Sequence, residues 1–183
     1  MNTQKELAHE AESIQNRLQL IRLLRNYGEA HVVGSVALEL LVKLDLDIHV
    51  LVQGFTLNGA MNNITNELLD KPEIREVRIS DYRPKGIKIG VDECPGPSGN
   101  WTIDIWLTTD QSTVAFEHTK RLLSELTPED RDTILSLKRH YYERGRLRDG
   151  ISSVIYEAVL GGVKNVNEFE SSSYFVEYIQ DSW

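Results

Sequence analysis

Apolar and polar positions along the chain follow two periods, one helical and one strand-like. Leu7, Ala11, Ile14, Leu18 and Ile21 recur at helical spacing behind Thr3 and Glu6, which stand at the separation of a capping box. This predicts a long amphipathic helix, with Gly28 as its C-cap. A short apolar run, His31-Val32-Val33, then ends at Gly34-Ser35, and a helical turn is expected over residues 36–42. Over residues 44–52 the period drops to two. Leu46, Ile48 and Val50 face one way, and Asp45, Asp47 and His49 face the other. Residues 56–69 read as a helix closed by Lys71-Pro72, and strand-like runs follow at 76–80, 86–91 and 101–108. The Pro/Gly/Ser-rich stretch 93–100 reads as the hairpin loop between the last two.

From residue 110 the period is helical throughout. Thr127-Pro128-Glu129-Asp130 supplies a capping hydroxyl, a proline at the first helical position and acids at the positive helix end, so a helix is expected to about Arg144. Further helices are expected over 152–160, ended by Gly161-Gly162, and within the tail 168–183. The pattern predicts an α+β fold: a small mixed β-sheet with flanking helices over residues 1–110, followed by a C-terminal helical, substrate-binding part over 111–183.

Composition narrows the functional classes. The chain has 183 residues, with 20 Lys+Arg against 28 Asp+Glu and a net charge of -8. An acidic chain is repelled by a polyphosphate backbone, so duplex nucleic acid is not an expected partner. A single cysteine, Cys94, excludes a disulfide scaffold. No stretch approaches a membrane span and the N-terminus lacks the apolar core of a signal peptide, so a soluble, cytoplasmic protein is expected.

The chemistry concentrates in Gly34-Ser35 and, nine residues on, Asp45-Leu46-Asp47-Ile48-His49. Two aspartates at i and i+2 on one strand share a face, close enough to bind hard divalent cations together. Side by side without a cation each would raise the other's pKa, which makes the pair costly. Asp104 adds a third carboxylate inside the alternating run Thr102-Ile103-Asp104-Ile105-Trp106. Aspartate is depleted in strand interiors, so three such positions ask for a function. The Gly-Ser turn offers backbone N–H groups and a hydroxyl to a phosphate.

On these residues the sequence resembles the nucleotidyltransferase superfamily with the DNA-polymerase-β-like palm fold, in particular its small antibiotic-modifying and minimal members. Val33-Gly34-Ser35, the spacer 36–44 and Asp45-Leu46-Asp47-Ile48 match the pattern of that family, and Asp104 stands as its third acid. Looser likeness runs through Ile134-Leu135-Ser136-Leu137-Lys138 and residues 152–169. The spacer departs from the pattern at Glu39, where a small or basic residue is common, and at Leu44, where serine is common before the first Asp.

The resemblance implies transfer of a nucleoside monophosphate from a Mg-NTP to a hydroxyl, with release of pyrophosphate. Asp45 and Asp47 would bridge two Mg²⁺ ions. Asp104 would complete one of them and act as base, and Gly34 and Ser35 would hold the β- and γ-phosphates. Lys138 borders the inner face of its helix, where it either meets the phosphates or snorkels from the edge. His49 and Trp106 share the aspartate face and are candidate acceptor-side residues, although a hydrogen-bonded sheet histidine and a core tryptophan are the commoner roles. Arg78 and Lys88 read as solvated strand positions. The expected acceptor is a small molecule of the antibiotic kind. The alternatives are a protein hydroxyl, or a non-catalytic module that binds nucleotide or a partner.

Overall fold

The computed structural model describes residues 3–148 and 150–181, and the chain divides into two compact units, the first closing at Thr119 and the second opening at Lys120. The first unit is built on a mixed five-stranded sheet, β1 (Gly28–Val33), β2 (Asp45–Val52), β3 (Arg78–Asp81), β4 (Ile87–Gly96) and β5 (Gly99–Thr108), in the order β1-β2-β5-β4-β3. β2 and β5 run parallel; the other pairs are antiparallel. One face of the sheet is covered by α1 (Gln4–Arg17), α2 (Leu20–Leu24) and α4 (Leu57–Leu69). Leu46, Ile48 and Val50 from β2 and Ile103, Ile105 and Leu107 from β5 meet Ala11, Ile14, Ala60 and Ile64 there in one buried cluster. Burying each large aliphatic side chain contributes about 1.5–3 kcal/mol, so this face supplies most of the unit's stability.

Several details differ from the periodicity. The first helix forms with its Thr3/Glu6 capping box but stops at Arg17, because Gln19 adopts a left-handed conformation (φ 52) that breaks the hydrogen-bond ladder before α2. Gly28 opens β1 instead of capping a helix, since a Cβ there would lie 2.0 Å from the Leu51 carbonyl oxygen across the ladder. The turn after β1 is α3 (Gly34–Ala37), shorter and earlier than expected; it ends where Glu39 takes a positive φ of 53. The stretch 93–100 is mostly strand. β4 carries an irregularity between Val91 and Cys94 and then continues to Gly96, leaving Pro97 and Ser98 as the turn. Pro95 is tolerated there because β3 pairs with β4 only as far as Gly90, so the missing N–H faces an open edge.

In the second unit α6 (Pro128–Glu143) starts at the Thr127/Asp130 capping box and α7 (Ile151–Leu160) packs against it. The tail forms two helices, α8 (Val166–Glu170) and α9 (Ser173–Asp181); Ser182 and Trp183, part of the expected tail helix, lie outside the described residues. Tyr141, Phe169 and Phe175 cluster with ring centroids 5.1–6.0 Å apart. α5 (Phe116–Glu125) contains the boundary between the units. Among the described residues no helix is long and apolar enough to cross a membrane, and Cys94 is a free, buried thiol.

The β4–β5 turn is tied to α1 by Glu10, which is 7% exposed and accepts hydrogen bonds from Trp101 Nε1 at 2.8 Å, the Ser98 N–H at 3.0 Å and the Ser98 hydroxyl. Burial alone would raise the Glu10 pKa; the Ser98 and Trp101 bonds outweigh it and hold the carboxyl below its ordinary range. Glu10→Ala is expected to cost about 3 kcal/mol, because a charge-assisted network is lost and a buried indole N–H is orphaned. Urea unfolding will measure it. The contribution is present above the ordinary carboxylate pKa of 4.5 and disappears as pH falls through the lowered folded value, so wild type and variant converge in stability in acid.

Candidate active site

The uncovered face of the sheet carries the polar half of each alternation, and the strand registers arrange it in transverse rows. Asp47 on β2 is the partner of Asp104 on β5, which is the partner of Gly90 on β4, which is the partner of Arg78 on β3. The next row reads His31, His49, Trp106, Lys88, Ser80. Asp45 lies opposite Thr102. Alternation along β2 therefore places Asp45 and Asp47 on one face, and the parallel β2–β5 pairing brings Asp104 beside Asp47.

Gly34 stands against this row. A Cβ at Gly34 would come 3.1 Å from Asp47 Oδ2, and the backbone there has φ +63, a conformation that glycine adopts without cost. The Gly-Ser turn that follows β1 and the second aspartate, thirteen residues beyond Gly34, are thus in contact through space. Ser35 is buried, at 6% exposure. Glu39, the acid that departs from the family pattern, is exposed.

Two lysines meet the carboxylates. Lys43 Nζ lies 2.8 Å from Asp45 Oδ2, and Lys88 Nζ donates to Asp104 Oδ2 at 3.2 Å. Desolvation would lower the Lys43 pKa, but Asp45, with Asp47 and Asp104 beyond it, raises it above its usual value. Lys43 therefore senses all three acids. The Lys88 contact corrects the expectation of a solvated position: two-residue alternation along β4 puts Lys88 and Gly90 on the aspartate face, a signal legible once the pairing with β5 is known. Arg78 pairs with Asp92 and lines, with Lys88, an open cavity of about 300 Å³ beside Asp104.

The donor set accommodates a divalent cation in a particular way. Among the described residues no three Asp, Glu, His or Cys side chains converge into a ready-made metal cluster. Asp45 Oδ1, however, is buried with no hydrogen-bond partner among the described residues. A buried carboxylate oxygen without a donor is costly, and a cation would satisfy it. Mg²⁺ is commonly held by one or two carboxylates together with substrate phosphates, not by an all-protein cage. The Asp45/Asp47 pair fits that mode.

His49 packs beside Trp106 (centroids 6.3 Å apart), and its Nδ1 accepts a hydrogen bond from the Ala115 N–H at 3.0 Å. Burial lowers its pKa to about 4, so the ring is neutral at pH 7. Trp106 is partly exposed; its ring also meets Tyr82 at 5.7 Å, and its Nε1 is buried without a partner among the described residues. Trp101 is fully buried core. In the second unit Lys138 is 1% exposed, so it does not snorkel; its Nζ donates to the Tyr156 hydroxyl at 3.0 Å and lies 5.3 Å from that ring's centroid.

No protein-family model matches the sequence, and no curated protein matches it by sequence. Solved structures do match in fold. A Cid1 poly(U) polymerase variant bound to MgATP superposes with a TM-score of 0.60 at 19% identity, over 79% of this chain and 45% of that one. The GLD-2/RNP-8 complex gives 0.57 at 12% identity, over 86% and 64%. A cytoplasmic RNA terminal U-transferase gives 0.55 at 19% identity, over 75% and 42%. The chain shares their α+β fold, a mixed sheet with flanking helices followed by C-terminal helices. The chain spans less than half the length of the Cid1 structures it matches.

Because the folded His49 pKa lies below the ordinary 6.5, the unfolded chain binds a proton that the native ring refuses between about pH 6.5 and about pH 4. Stability linked to His49 is therefore complete above pH 6.5 and is lost as pH falls toward 4. His49→Gln is expected to flatten the pH dependence of unfolding in that window, and ring NMR shifts of His49 are expected to stay constant from pH 8 to 5.

Proposed function

We propose that the chain is a Mg²⁺-dependent nucleotidyltransferase that moves a nucleoside monophosphate from an NTP to an acceptor hydroxyl and releases pyrophosphate. The observation that carries this reading is the row itself: Asp47 in register with Asp104, Asp45 on the same face, and Gly34 against Asp47 Oδ2. A binding module has little use for three carboxylates that need lysines to be tolerated. The neighbours' names point the same way, with MgATP and MgGTP bound to Cid1.

In this reading Asp45 and Asp47 hold the cation side of the site, and Gly34 and Ser35 lie along the β- and γ-phosphates. Bound Mg²⁺, taken as two ions, supplies Lewis-acid neutralisation of the phosphates and of the attacking oxygen. Asp104 accepts the acceptor's hydroxyl proton as that oxygen forms a bond to the α-phosphorus and the α–β phosphoanhydride bond breaks. The electron pair leaves with pyrophosphate. Such transfer consists mostly of positioning and charge neutralisation, which suits a site with no protein nucleophile. His49 and Trp106 are assigned to the acceptor side.

Cid1 is named for acting on RNA. The net charge of -8 opposes a polyanionic acceptor and favours a small molecule, with a protein hydroxyl as the next candidate. Asp45→Asn and Asp47→Asn are expected to abolish Mg²⁺-dependent NTP binding in calorimetry, and Asp104→Asn to lower transfer about 10²- to 10⁴-fold with binding retained. Equal Mg²⁺–NTP affinity in wild type and both of the first two variants would refute the metal assignment. Nucleotide binding without pyrophosphate release toward small-molecule or protein acceptors would leave a binding module.

A further inference from the structure

Lys43 is the least expected of the charged residues around the carboxylates. It stands two positions before Asp45, in the bend that leads from α3 into β2, and the backbone around it is pinned on both sides. Upstream, the Gln4 side chain at the start of α1 clasps Leu41, donating to its carbonyl at 2.7 Å and accepting from its N–H at 2.6 Å. The Leu40 N–H bonds to the Ser35 carbonyl at 2.9 Å. Downstream, the Asp45 N–H bonds to the Lys43 carbonyl at 3.1 Å, and the Thr102 N–H to the Leu44 carbonyl at 2.9 Å. The segment delivers Lys43 to one place, and what stays adjustable is its side chain.

The two partners of this ion pair are unequally free. The Lys43 side chain is 43% exposed and that of Asp45 only 13%, so the ammonium has room to swing into water and the carboxylate does not follow it. In place, Nζ lies 2.8 Å from Asp45 Oδ2. Against the cost of its partial burial, the ammonium is held by Asp45 and, more remotely, by Asp47 and Asp104. One positive charge thus serves the carboxylates that a divalent ion would also seek. An ion on Asp45, whether on Oδ2 or on the unpartnered Oδ1, meets this ammonium across a single carboxylate, and like charges that close repel strongly where water is scarce. If the lysine swings away, it exchanges an anionic partner for solvent. A polyphosphate that arrives with the ion changes this balance, because its oxygens offer the ammonium a new charge-assisted partner.

We propose that Lys43 couples cation and nucleotide binding: it opposes a divalent ion that comes without nucleotide, and it turns to the nucleotide's phosphates when the two come together. This rests on the nucleotidyl-transfer reading for the identity of the ligands. It gives a role to a residue outside both the Gly-Ser turn and the Asp-x-Asp pair. The coupling is reciprocal, since the factor by which nucleotide tightens the ion is the factor by which the ion tightens nucleotide. The site then stays free of bare metal at concentrations where it fills with metal and nucleotide together.

Removing this charge has effects of opposite sign on the two ligands, which a general loss of structure does not imitate. The variants are Lys43→Met and Lys43→Gln, the second of which keeps a donor for Asp45. Mn²⁺, which takes the same oxygen ligands as Mg²⁺, is titrated alone and followed by the EPR signal of the free ion. Its binding is expected to tighten about tenfold in both variants. ATP binding in saturating Mg²⁺, measured by calorimetry without an acceptor, is expected to weaken about tenfold in both. Lys43→Arg, which keeps the charge, is expected to resemble wild type in both titrations, as is Lys85→Met, which removes an exposed charge from the β3–β4 turn. Asp45→Asn in the Lys43→Gln background is expected to abolish the tightened Mn²⁺ binding. Unchanged Mn²⁺ affinity in the Lys43 variants, shifts of one sign for both ligands, or an equal shift in Lys85→Met would overturn the inference; a wild type that binds Mg²⁺–ATP would still retain the transferase reading. A wild type and variants that bind neither ligand would overturn both.

Discussion

The parallel pairing of β2 with β5 is the constraint on which the site depends. Asp45 and Asp47 share a face by alternation alone, but Asp104 lies 57 positions further along the chain than Asp47 and reaches its side only through this ladder. The pairing is held from the opposite face, where Ile48 and Ile105, fully buried partners in the same register, pack under the helices. A slip by one residue would exchange the two sets, burying the aspartates and exposing the isoleucines. Hydrophobic burial thus sets the spacing of the carboxylates to within a strand repeat.

This division of labour between faces explains where the polar exceptions fall. Glu10 is a charged group on the buried side, and it is fully occupied in fixing the β4–β5 turn to α1. On the open side Asp45 keeps one oxygen without a donor among the described residues, and Trp106 keeps an indole N–H in the same condition. A third such group, Thr65 Oγ1, lies away from the acids on α4. Sites carried on strands in this way are held more rigidly than sites on loops, which suits chemistry that is mostly positioning.

Much of this was legible in the chain. Alternation around Asp45 and Asp104, the capping boxes at Thr3 and Thr127, and the Gly34-Ser35 turn are local signals, and each corresponds to a local cause in the structure. The misread places are those where tertiary contacts overrode local preference. Gln19 breaks the first helix with no glycine to announce it, because Leu18 and Leu20 both have to be buried in the same core. Pro95 and Gly96 look like loop residues and lie in β4, since the edge there is open on one side. Lys43 and Lys88 could not be matched to Asp45 and Asp104 without knowing the register.

Lys43 and Lys88 also decide what kind of event cation entry is. With an ammonium already on Asp45 and another on Asp104, two of the three carboxylates carry a tethered positive charge before any divalent ion enters. A cation that takes Asp45 Oδ2 or Asp104 Oδ2 swaps places with a tethered one, as on an ion-exchange resin, whereas Asp45 Oδ1 has no partner to displace among the described residues. Its hold on the site is then the difference between two affinities, and a displaced lysine, still fixed to its strand, leaves behind a mobile positive charge beside the newcomer.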